Sequence, residues 1–381
     1  MEYIFLTALL ISLGYLLISL GLTYIALRVR DQIKTNTNGM SNGISILKPL
    51  KGLDDCLEEN LRSFFEQNYP DFEIIFGVNS NDDPAIPIVR SLQEKYPDVM
   101  SKLIIDPKIS GKNPKVNNLV NIFKHAGKEF VLISDSNTRV SADYLAHLIS
   151  ECKDKSIGLV LSVLRGVGAA NWIAAMENIH LNTYITPNVF AVETLFKRSI
   201  SIGKSMLIRR STIKKFGGFE IFGDYLAEDH LIGKKIEEMG LKVKVSSTFV
   251  NNVNEKWGLK KILNRHTRWA KMRRSVSLFD YAAETLSNPI PISFIYAVLS
   301  SDLSGLIVFS GVCLFKMIYD IMILQMLGVS LNWYYYFLSP VKDLLMGVLW
   351  YVPFFSRKVS WRGNKFYIKK DSYLIPLRRT S

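Results

Sequence analysis

The chain has 381 residues, of which 47 are lysine or arginine and 34 are aspartate or glutamate, so its formal net charge at neutral pH is +13. Because the basic residues cluster beside apolar segments and in one predicted helix, attraction to anionic lipid headgroups explains the charge, and we expect no nucleic-acid partner. The three cysteines, Cys56, Cys152 and Cys313, lack the spacing of a zinc site or a redox pair.

The first predicted element is an N-terminal membrane anchor, residues 1–28. Residues 3–27 are almost uninterrupted apolar sequence, long enough to cross a bilayer. Glu2 precedes this run and no clear cleavage site follows it, which favours an anchor over a cleaved signal peptide. Arg28, Arg30 and Lys34 come next and predict a cytosolic location for the segment that follows. Residues 29–43 are the expected linker, polar and rich in glycine and asparagine towards its end.

Residues 44–288 are predicted to form one cytosolic α/β domain. Short apolar runs alternate with helical patterns, which is typical of a mostly parallel sheet covered by helices. In such a sheet the ligand site lies at the carboxyl ends of the strands. The expected strands are 44–47, 72–78, 103–105 and 130–133, and the expected helices are 53–67, 84–95 and 115–125.

Two features before the fourth strand suit a nucleotide. Asp82 and Asp83 precede a predicted helix, where acids can simply cap the helix; in the nucleotide interpretation, Asp83 holds the uracil or ribose of a donor. The loop that begins at Gly111 leads into the next helix and carries Lys112 and Lys115. Its amides and lysines can face a diphosphate, although solvated polar turns look similar.

Asp135 follows the buried strand 130–133, so its carboxylate is expected at the edge of the sheet. Its neighbour Asn137 offers an amide oxygen. Hard oxygen ligands suit Mg²⁺ or Mn²⁺, which bind through one or two carboxylates together with substrate phosphates. The alternative is a turn or cap aspartate, which is common in such a sequence.

Glu228 and Asp229 precede a predicted helix over 231–239 that ends at Gly240. An alcohol acceptor has a very high pKa, so its proton must leave as the oxygen attacks, and a carboxylate is the simplest base. We expect Asp229 to be that base and Glu228 to be its neighbour or an acceptor contact. Acidic capping of the helix is the alternative.

Residues 259–277 are predicted to form a basic amphipathic helix on the membrane surface. Arg265, Arg268 and Trp269 are spaced to share one face of it. Arginine matches diphosphate oxygens with two parallel hydrogen bonds, and a tryptophan can form the floor of an acceptor pocket. The remaining basic residues are expected to meet lipid headgroups: Lys260, Lys261, Lys271, Arg273 and Arg274.

The C-terminal part is predicted to be a membrane region, residues 289–355, followed by a basic cytosolic tail, residues 356–381. Charged residues interrupt the apolar sequence at Asp302, Lys316, Asp320, Lys342 and Asp343. We expect two true spans in the whole chain, with residues 314–327 forming a helix that lies in the interface.

Together these segments resemble the processive-type GT-A glycosyltransferases with a D, D, D, (Q/R)xxRW pattern and, more narrowly, the ceramide glucosyltransferase family. The similarity lies in ILKPLKGLDDCLEENLRSFFEQNYPDFEIIFGV, DDPAI, KYP, GKNPKVNNL, SDSNTRV, LAEDH, RHTRW and the late VSWRG, and so spans nearly the whole chain. It implies a GT-A type nucleotide-sugar-binding domain, UDP-glucose as donor, ceramide as acceptor, inversion at the anomeric carbon and a divalent metal.

The resemblance also implies roles for single residues. Carried over by position, Asp83 is the first aspartate, Asp135 the metal aspartate, Asp229 the base, and Arg265, Arg268 and Trp269 the signature cluster. The chain departs from the pattern in its DSN metal motif, which replaces the two-aspartate DxD, and in residues 182–205, where acceptor selectivity is expected. His180 is expected to be an ordinary packed or surface histidine.

Three rival functions follow from the same residues. The first is transfer from another UDP-sugar, such as UDP-N-acetylglucosamine or UDP-galacturonic acid, to another lipid such as a hopanoid. The second is a processive polysaccharide synthase, which the small number of membrane segments disfavours. The third is an inactive membrane scaffold that binds nucleotide or lipid, although the predicted base and arginines are present.

Overall fold

The computed structural model describes residues 2–32, 42–196 and 202–377. The chain divides into two compact units. One, the membrane-side unit, comprises Met1–Leu27, Gly166–Leu195 and Asn254–Ser381. The other, the sheet unit, comprises Arg28–Arg165 and Phe196–Val253.

The helices are α1 Glu2–Gln32, α2 Leu57–Phe65, α3 Ala85–Lys95, α4 Pro114–Phe123, α5 Tyr144–Ser150, α6 Trp172–His180, α7 Thr186–Phe196, α8 Arg210–Lys215, α9 Glu228–Glu238, α10 Leu259–Val276, α11 Leu278–Ala283, α12 Pro289–Ser300, α13 Leu303–Met326 and α14 Leu338–Phe355. The strands are β1 Ile44–Pro49, β2 Phe72–Val78, β3 Ser101–Ile105, β4 Phe130–Ser134, β5 Thr138–Arg139, β6 Ile157–Val167, β7 Ser205–Arg209, β8 Lys242–Val253, β9 Lys358–Trp361, β10 Asn364–Ile368 and β11 Leu374–Pro376.

The sheet unit contains an eight-stranded sheet among its described residues, in the order β3-β2-β1-β4-β7-β6-β8-β5. The first four strands in that order pair in parallel, as the alternation of strands and helices predicts. Strands β1 and β4 are buried almost throughout, which is why apolar residues predominate in both. The predicted α/β class is confirmed.

The second half of the sheet is antiparallel. Strand β7 pairs with β4 so that Ser134 lies opposite Ser205, and it also pairs antiparallel with β6. This register brings the residue after β4 next to the residue before β7, and the amide of Asp135 donates to the carbonyl of Lys204 at 3.2 Å. The sequence pattern did not predict this part of the sheet.

The predicted helices exist, and their limits differ by a few residues. Helix α2 begins at Leu57 rather than at residue 53, because the preceding loop is held by other contacts, including a hydrogen bond from Ser136 to Asp54. Helix α9 begins at Glu228, three residues earlier than predicted. Gly240 follows it with φ +74°, the left-handed conformation expected of a glycine after a helix.

In the membrane-side unit, α1 packs against the C-terminal helices. Leu9 forms a buried apolar cluster with Ile290 of α12 and Val312 of α13. The hydroxyl of Ser19 lies 2.9 Å from that of Tyr319. The N-terminal apolar helix and the C-terminal apolar region therefore belong to one packed structure.

Two of the described helices, α1 over Glu2–Arg28 and α13, are long and apolar enough to cross a membrane, and α12 is a shorter apolar helix. Residues 314–326, where we expected an interfacial helix, are the second half of α13, a single helix of 24 residues. The physical reason is that the charges that interrupt the apolar pattern are paired and buried. Lys316 pairs with Asp320 and, at 3.1 Å, with Asp343, and Lys342 pairs with Asp343 at 2.9 Å.

The C-terminal tail, for which we predicted no structure, contains a three-stranded sheet of β9, β10 and β11. A hairpin joins β9 to β10, with Arg362 at φ +49° and Gly363 at φ +86°. Two successive positive φ values are typical of the tight turns that match strand twist, and this explains the glycine of the VSWRG segment.

Candidate active site

In the sheet unit, four of the predicted site residues meet in one cluster, and Asp135 after β4 is part of it. Its two carboxylate oxygens accept from Lys115 Nζ at 2.9 Å and from Lys204 Nζ at 2.8 Å. Burial alone would raise the pKa of Asp135, but the two ammonium groups outweigh that effect and hold the pKa well below its usual range. Asp135 is therefore an anion at any physiological pH.

Lys115 is the central cation of this cluster. Besides Asp135, its Nζ pairs with Glu228 Oε1 at 3.0 Å and donates to the carbonyl of Gly203 at 3.0 Å. Burial would lower the pKa of Lys115, but Asp135, Glu228 and Asp229 outweigh it and hold the pKa above its usual range. Lys115 thus links the acid after β4 to the acids at the start of α9.

Asp229 lies in the first turn of α9 and is fixed by two backbone groups. Its oxygens accept from the amide of Gly203 at 2.7 Å and from the amide of His230 at 2.8 Å. Burial raises the pKa of Asp229 above its ordinary value, with Lys115 and the two amides opposing part of the rise. A raised pKa makes a carboxylate a stronger base, which suits proton removal from an alcohol.

Glu228 is more deeply buried than its neighbour, with 6% of its surface exposed. Asn113 Nδ2 donates to its Oε2 at 3.1 Å, and Asn113 also caps α4 by accepting from the amides of Lys115 and Val116. Burial, with Asp229 nearby, raises the pKa of Glu228, while Lys115 opposes it. Glu228 therefore ties the start of α4 to the start of α9.

Asp83 and Lys112 lie outside this set of direct contacts. Asp83 accepts from the amide of Gly52 at 3.1 Å and from the amide of Ala85 at 3.0 Å, so it both caps α3 and holds the loop after β1. Lys112 Nζ pairs with Asp224 at 3.0 Å. Asp83 thus makes a contact of the capping type. Its contact with a nucleotide stays a prediction.

Two lysines that sequence reasoning missed hold the acid after β4. Lys204 reaches Asp135 because β7 runs antiparallel beside β4, and it also donates to Asn137 Oδ1 at 2.8 Å. Lys48, fully buried in β1, donates to Ser134, to the carbonyl of Asp135 at 2.9 Å and to Thr138. A lysine within an otherwise apolar strand was the one available signal for Lys48.

The predicted arginine and tryptophan residues lie on α10 in the membrane-side unit. The guanidinium of Arg265 lies over the rings of Trp269 and Trp257, at 4.3 and 5.1 Å from their centroids. That of Arg268 lies over Trp361, at 5.7 Å. These contacts fix planar cations against aromatic faces.

Beneath this face, buried Glu177 of α6 binds α10 through two residues. Its Oε1 pairs with Arg265 Nη1 at 3.1 Å, and its Oε2 lies 2.6 Å from His266 Nε2. Arg273, expected at lipid headgroups, pairs with Glu284 at 2.8 Å. Its side chain is still 34% exposed, so a contact with lipid headgroups stays a prediction.

The described residues contain no group of three His, Cys, Asp or Glu side chains placed to hold a metal ion. The cluster around Lys115 carries three carboxylates and three lysines, since Lys48 donates to the carbonyl of Asp135 while Lys115 and Lys204 contact its carboxylate. Magnesium is commonly bound through one or two carboxylates, water and substrate phosphates. Asp135 is the carboxylate that would supply such a ligand, with the others coming from a bound diphosphate.

Comparison with known proteins places the chain among glycosyltransferases. Ceramide glucosyltransferase 3 of Caenorhabditis elegans is 27% identical over 376 residues, which is 95% of this chain and 80% of the relative. Ceramide glucosyltransferase 1 of the same organism is 26% identical over 93% of this chain and 78% of the relative.

Two solved structures are similar over most of the chain. The mannosyltransferase PcManGT from Pyrobaculum calidifontis, in complex with GDP-Man and Mn²⁺, is 16% identical with a TM-score of 0.44, covering 90% of this chain and 98% of that one. Residues 1–349 of S. aureus TarS, in complex with UDP-GlcNAc, are 14% identical with a TM-score of 0.42, covering 88% and 100%. The sequence profile of glycosyl transferase family 21 matches residues 5–374. Since that match spans nearly the whole chain, the protein belongs to glycosyl transferase family 21.

Proposed function

We propose that this protein transfers glucose from UDP-glucose to the primary hydroxyl of ceramide, with inversion at the anomeric carbon, at the cytosolic face of a membrane. The observation that carries the proposal is the cluster of Asp229, Glu228, Lys115 and Asp135 in a member of glycosyl transferase family 21. The names of its relatives supply the substrate, and the two long apolar helices are consistent with a membrane-bound enzyme that acts on a lipid.

In this mechanism Asp229 accepts the proton of the acceptor hydroxyl as its oxygen attacks the anomeric carbon. The bond from that carbon to the β-phosphate oxygen breaks, and the bonding electrons leave with UDP. The proton on Asp229 then passes to solvent. The amides of Gly203 and His230 keep the carboxylate in one orientation, so the base is positioned before substrate binds.

Cations balance the charge that develops on the leaving diphosphate. We assign this role to Lys115 and Lys112 in the sheet unit, with Asp83 as a contact to the uridine. The resemblance separately suggests Arg265 and Arg268 on α10 as phosphate-binding cations and Trp269 as an acceptor contact. Asp135 would hold Mg²⁺ or Mn²⁺, which supplies Lewis-acid neutralisation of the phosphates when bound.

The test is a panel of donors and acceptors. The purified protein is incubated with UDP-glucose, UDP-N-acetylglucosamine or UDP-galacturonic acid and with ceramide or a hopanoid, and the lipid product is identified by mass spectrometry. We expect glucosylceramide as the main product. A different glycolipid would assign the rival transferase, a polymer would assign a polysaccharide synthase, and the absence of any turnover would favour a scaffold.

The matched variants are Asp229→Asn and Glu238→Gln, two replacements of a carboxylate by an amide on α9. Glu238 is exposed at the far end of the helix, where it pairs with Lys235. We expect Asp229→Asn to reduce kcat by at least about 10²-fold, the lower range for a general base. Glu238→Gln is expected to keep wild-type activity, and equal activity of both variants would reject Asp229 as the base.

A further inference from the structure

The membrane-side unit contains a partly open cavity of about 110 Å³ that the predicted site residues do not account for. Its walls come from α6, α10, α12 and α14 and from the segments beside them. One part is polar, with His180, His266 and Asn288, and another is apolar, with Ile292, Ile295 and Met346. The volume is sufficient for several atoms of a polar group.

Two buried polar atoms in this wall have no hydrogen-bond partner among the described residues. They are Nδ1 of His180, whose residue is 4% exposed, and Oδ1 of Asn288, whose residue is 9% exposed. The other end of the Asn288 amide is satisfied, since Nδ2 donates to the carbonyl of Asp343 at 3.3 Å. Such atoms are rare in folded proteins, and each needs a partner that the surrounding residues do not supply.

The surroundings define the chemistry of that partner. His180 is held by stacking on Tyr184 and by an edge contact with His266, at centroid distances of 4.9 and 4.8 Å. Burial, with cations nearby, lowers the pKa of His180 well below its usual range, so the ring is neutral. Arg273 in the wall is already paired with Glu284, and a ligand with its own charge therefore has no available counterion there.

We propose that this cavity binds the polar head of the lipid acceptor, an uncharged amphiphile with hydroxyl and amide groups. A hydroxyl or amide N–H of the lipid donates to Asn288 Oδ1, and a second polar group of the head pairs with His180 Nδ1. The alkyl part lies along Ile292, Ile295 and Met346. The proposal rests on the proposed function for the acceptor class, and it names the acceptor site.

The closing experiment measures binding separately from turnover. The full chain in lipid nanodiscs is irradiated with a ceramide that carries a photoreactive diazirine on its acyl chain, and the labelled peptides are mapped by mass spectrometry. We expect labelling of α12 or of the stretch of α14 around Met346, and competition by unlabelled ceramide. Labelling spread evenly over the apolar helices, or equal competition by diacylglycerol, would overturn the proposal.

A matched pair of variants tests the apolar wall. Ile295→Trp places a larger side chain into the cavity, whereas Val298→Trp makes the same kind of change on α12 at a position that is 58% exposed and outside the wall. We expect the first to raise the KM for ceramide about ten-fold, with KM for UDP-glucose unchanged, and the second to behave as wild type. Equal KM values for the two variants would contradict the assignment.

A second pair tests the polar wall and controls for folding. His180→Phe keeps a flat ring beside Tyr184 but lacks the nitrogen, and His180→Asn keeps a polar group near the position of Nδ1. We expect a three- to ten-fold rise in the KM for ceramide in the first variant, about the value of one hydrogen bond, and a smaller rise in the second. If the wild-type protein does not glucosylate ceramide but labelling and competition persist, the cavity assignment stands and the proposed function fails. If turnover is normal and labelling maps elsewhere, only the cavity assignment fails.

Discussion

Replacement of Lys115 by methionine is the change that perturbs the acidic cluster most. The lysine side chain is 18% exposed and contacts Asp135 at 2.9 Å and Glu228 at 3.0 Å. Methionine keeps most of the stem and removes the charge, so three carboxylates remain in the cluster with Lys204 as the neighbouring cation. Removal of one partner from a buried ion pair leaves charge without compensation.

We expect Lys115→Met to lower the free energy of unfolding by about 3 kcal/mol, the lower end of the range for a broken buried ion pair. For a domain of this size, each kcal/mol shifts the Tm by 2–4 °C, so we expect the Tm to fall by roughly 6–12 °C. The assay is thermal unfolding of the detergent-solubilised full chain at neutral pH. The pKa values of Glu228 and Asp229 should rise further, since Lys115 opposes their rise in the wild type.

The matched control is Lys112→Met, three residues earlier in the loop that leads into α4. Lys112 pairs with Asp224, and both side chains are more exposed, at 26% and 37%. Exposed pairs contribute about 0–1 kcal/mol, so this variant should melt within a few degrees of wild type. If Lys115→Met and Lys112→Met melt at the same temperature, Lys115 is not the central cation of the cluster and the reasoning is refuted.

Three further predictions concern the base and the membrane-side unit. A Cβ at Gly203 would lie 2.8 Å from Asp229 Cβ and displace the base, so Gly203→Ala should lower kcat about 10²-fold. Gly311 has open space around it, so Gly311→Ala should leave kcat unchanged. Equal kcat values for the two variants would show that the base tolerates displacement. Because the pKa of Asp229 is raised, kcat/KM should begin to fall at a pH above the pKa of an ordinary aspartate, as Asp229 becomes protonated. A kcat/KM that stays constant down to the pKa of an ordinary aspartate would contradict this. Asp343→Ala removes a carboxylate from two buried lysines, so thermal unfolding should show a free energy of unfolding lower by about 3–5 kcal/mol. Asp280→Ala, at an exposed position, should change it little. A similar melting temperature for both variants would argue against a buried network.

The parallel half of the sheet could be predicted because its signals are local. Each of its strands is a short apolar run followed by a helical pattern, and β2 was predicted with its observed limits. The antiparallel half could not be predicted in the same way, since the direction of β7 beside β4 comes from the pairing itself and not from a local pattern. The continuity of α13 was also missed, because a lysine and an aspartate in an apolar run look like an interruption until their partners are known.

The same distinction holds for the site. Asp135 and Asp229 were predicted because each acid stands where a strand ends or a helix begins, and the structure brings both to Lys115. Lys204 was missed, since only the antiparallel register puts it beside Asp135. His180 was expected to be an ordinary packed or surface histidine. Its buried Nδ1 has no hydrogen-bond partner among the described residues, and this depends on the residues packed around it, which the sequence pattern does not show.

The most direct test of the account is the anomeric configuration of the product that the purified enzyme makes from UDP-glucose and ceramide. A single displacement with Asp229 as base inverts the α-linked donor, so NMR of the isolated glycolipid should show β-linked glucose, and Asp229→Asn should yield almost none of it. An α-linked product, or undiminished product from Asp229→Asn, would contradict the account.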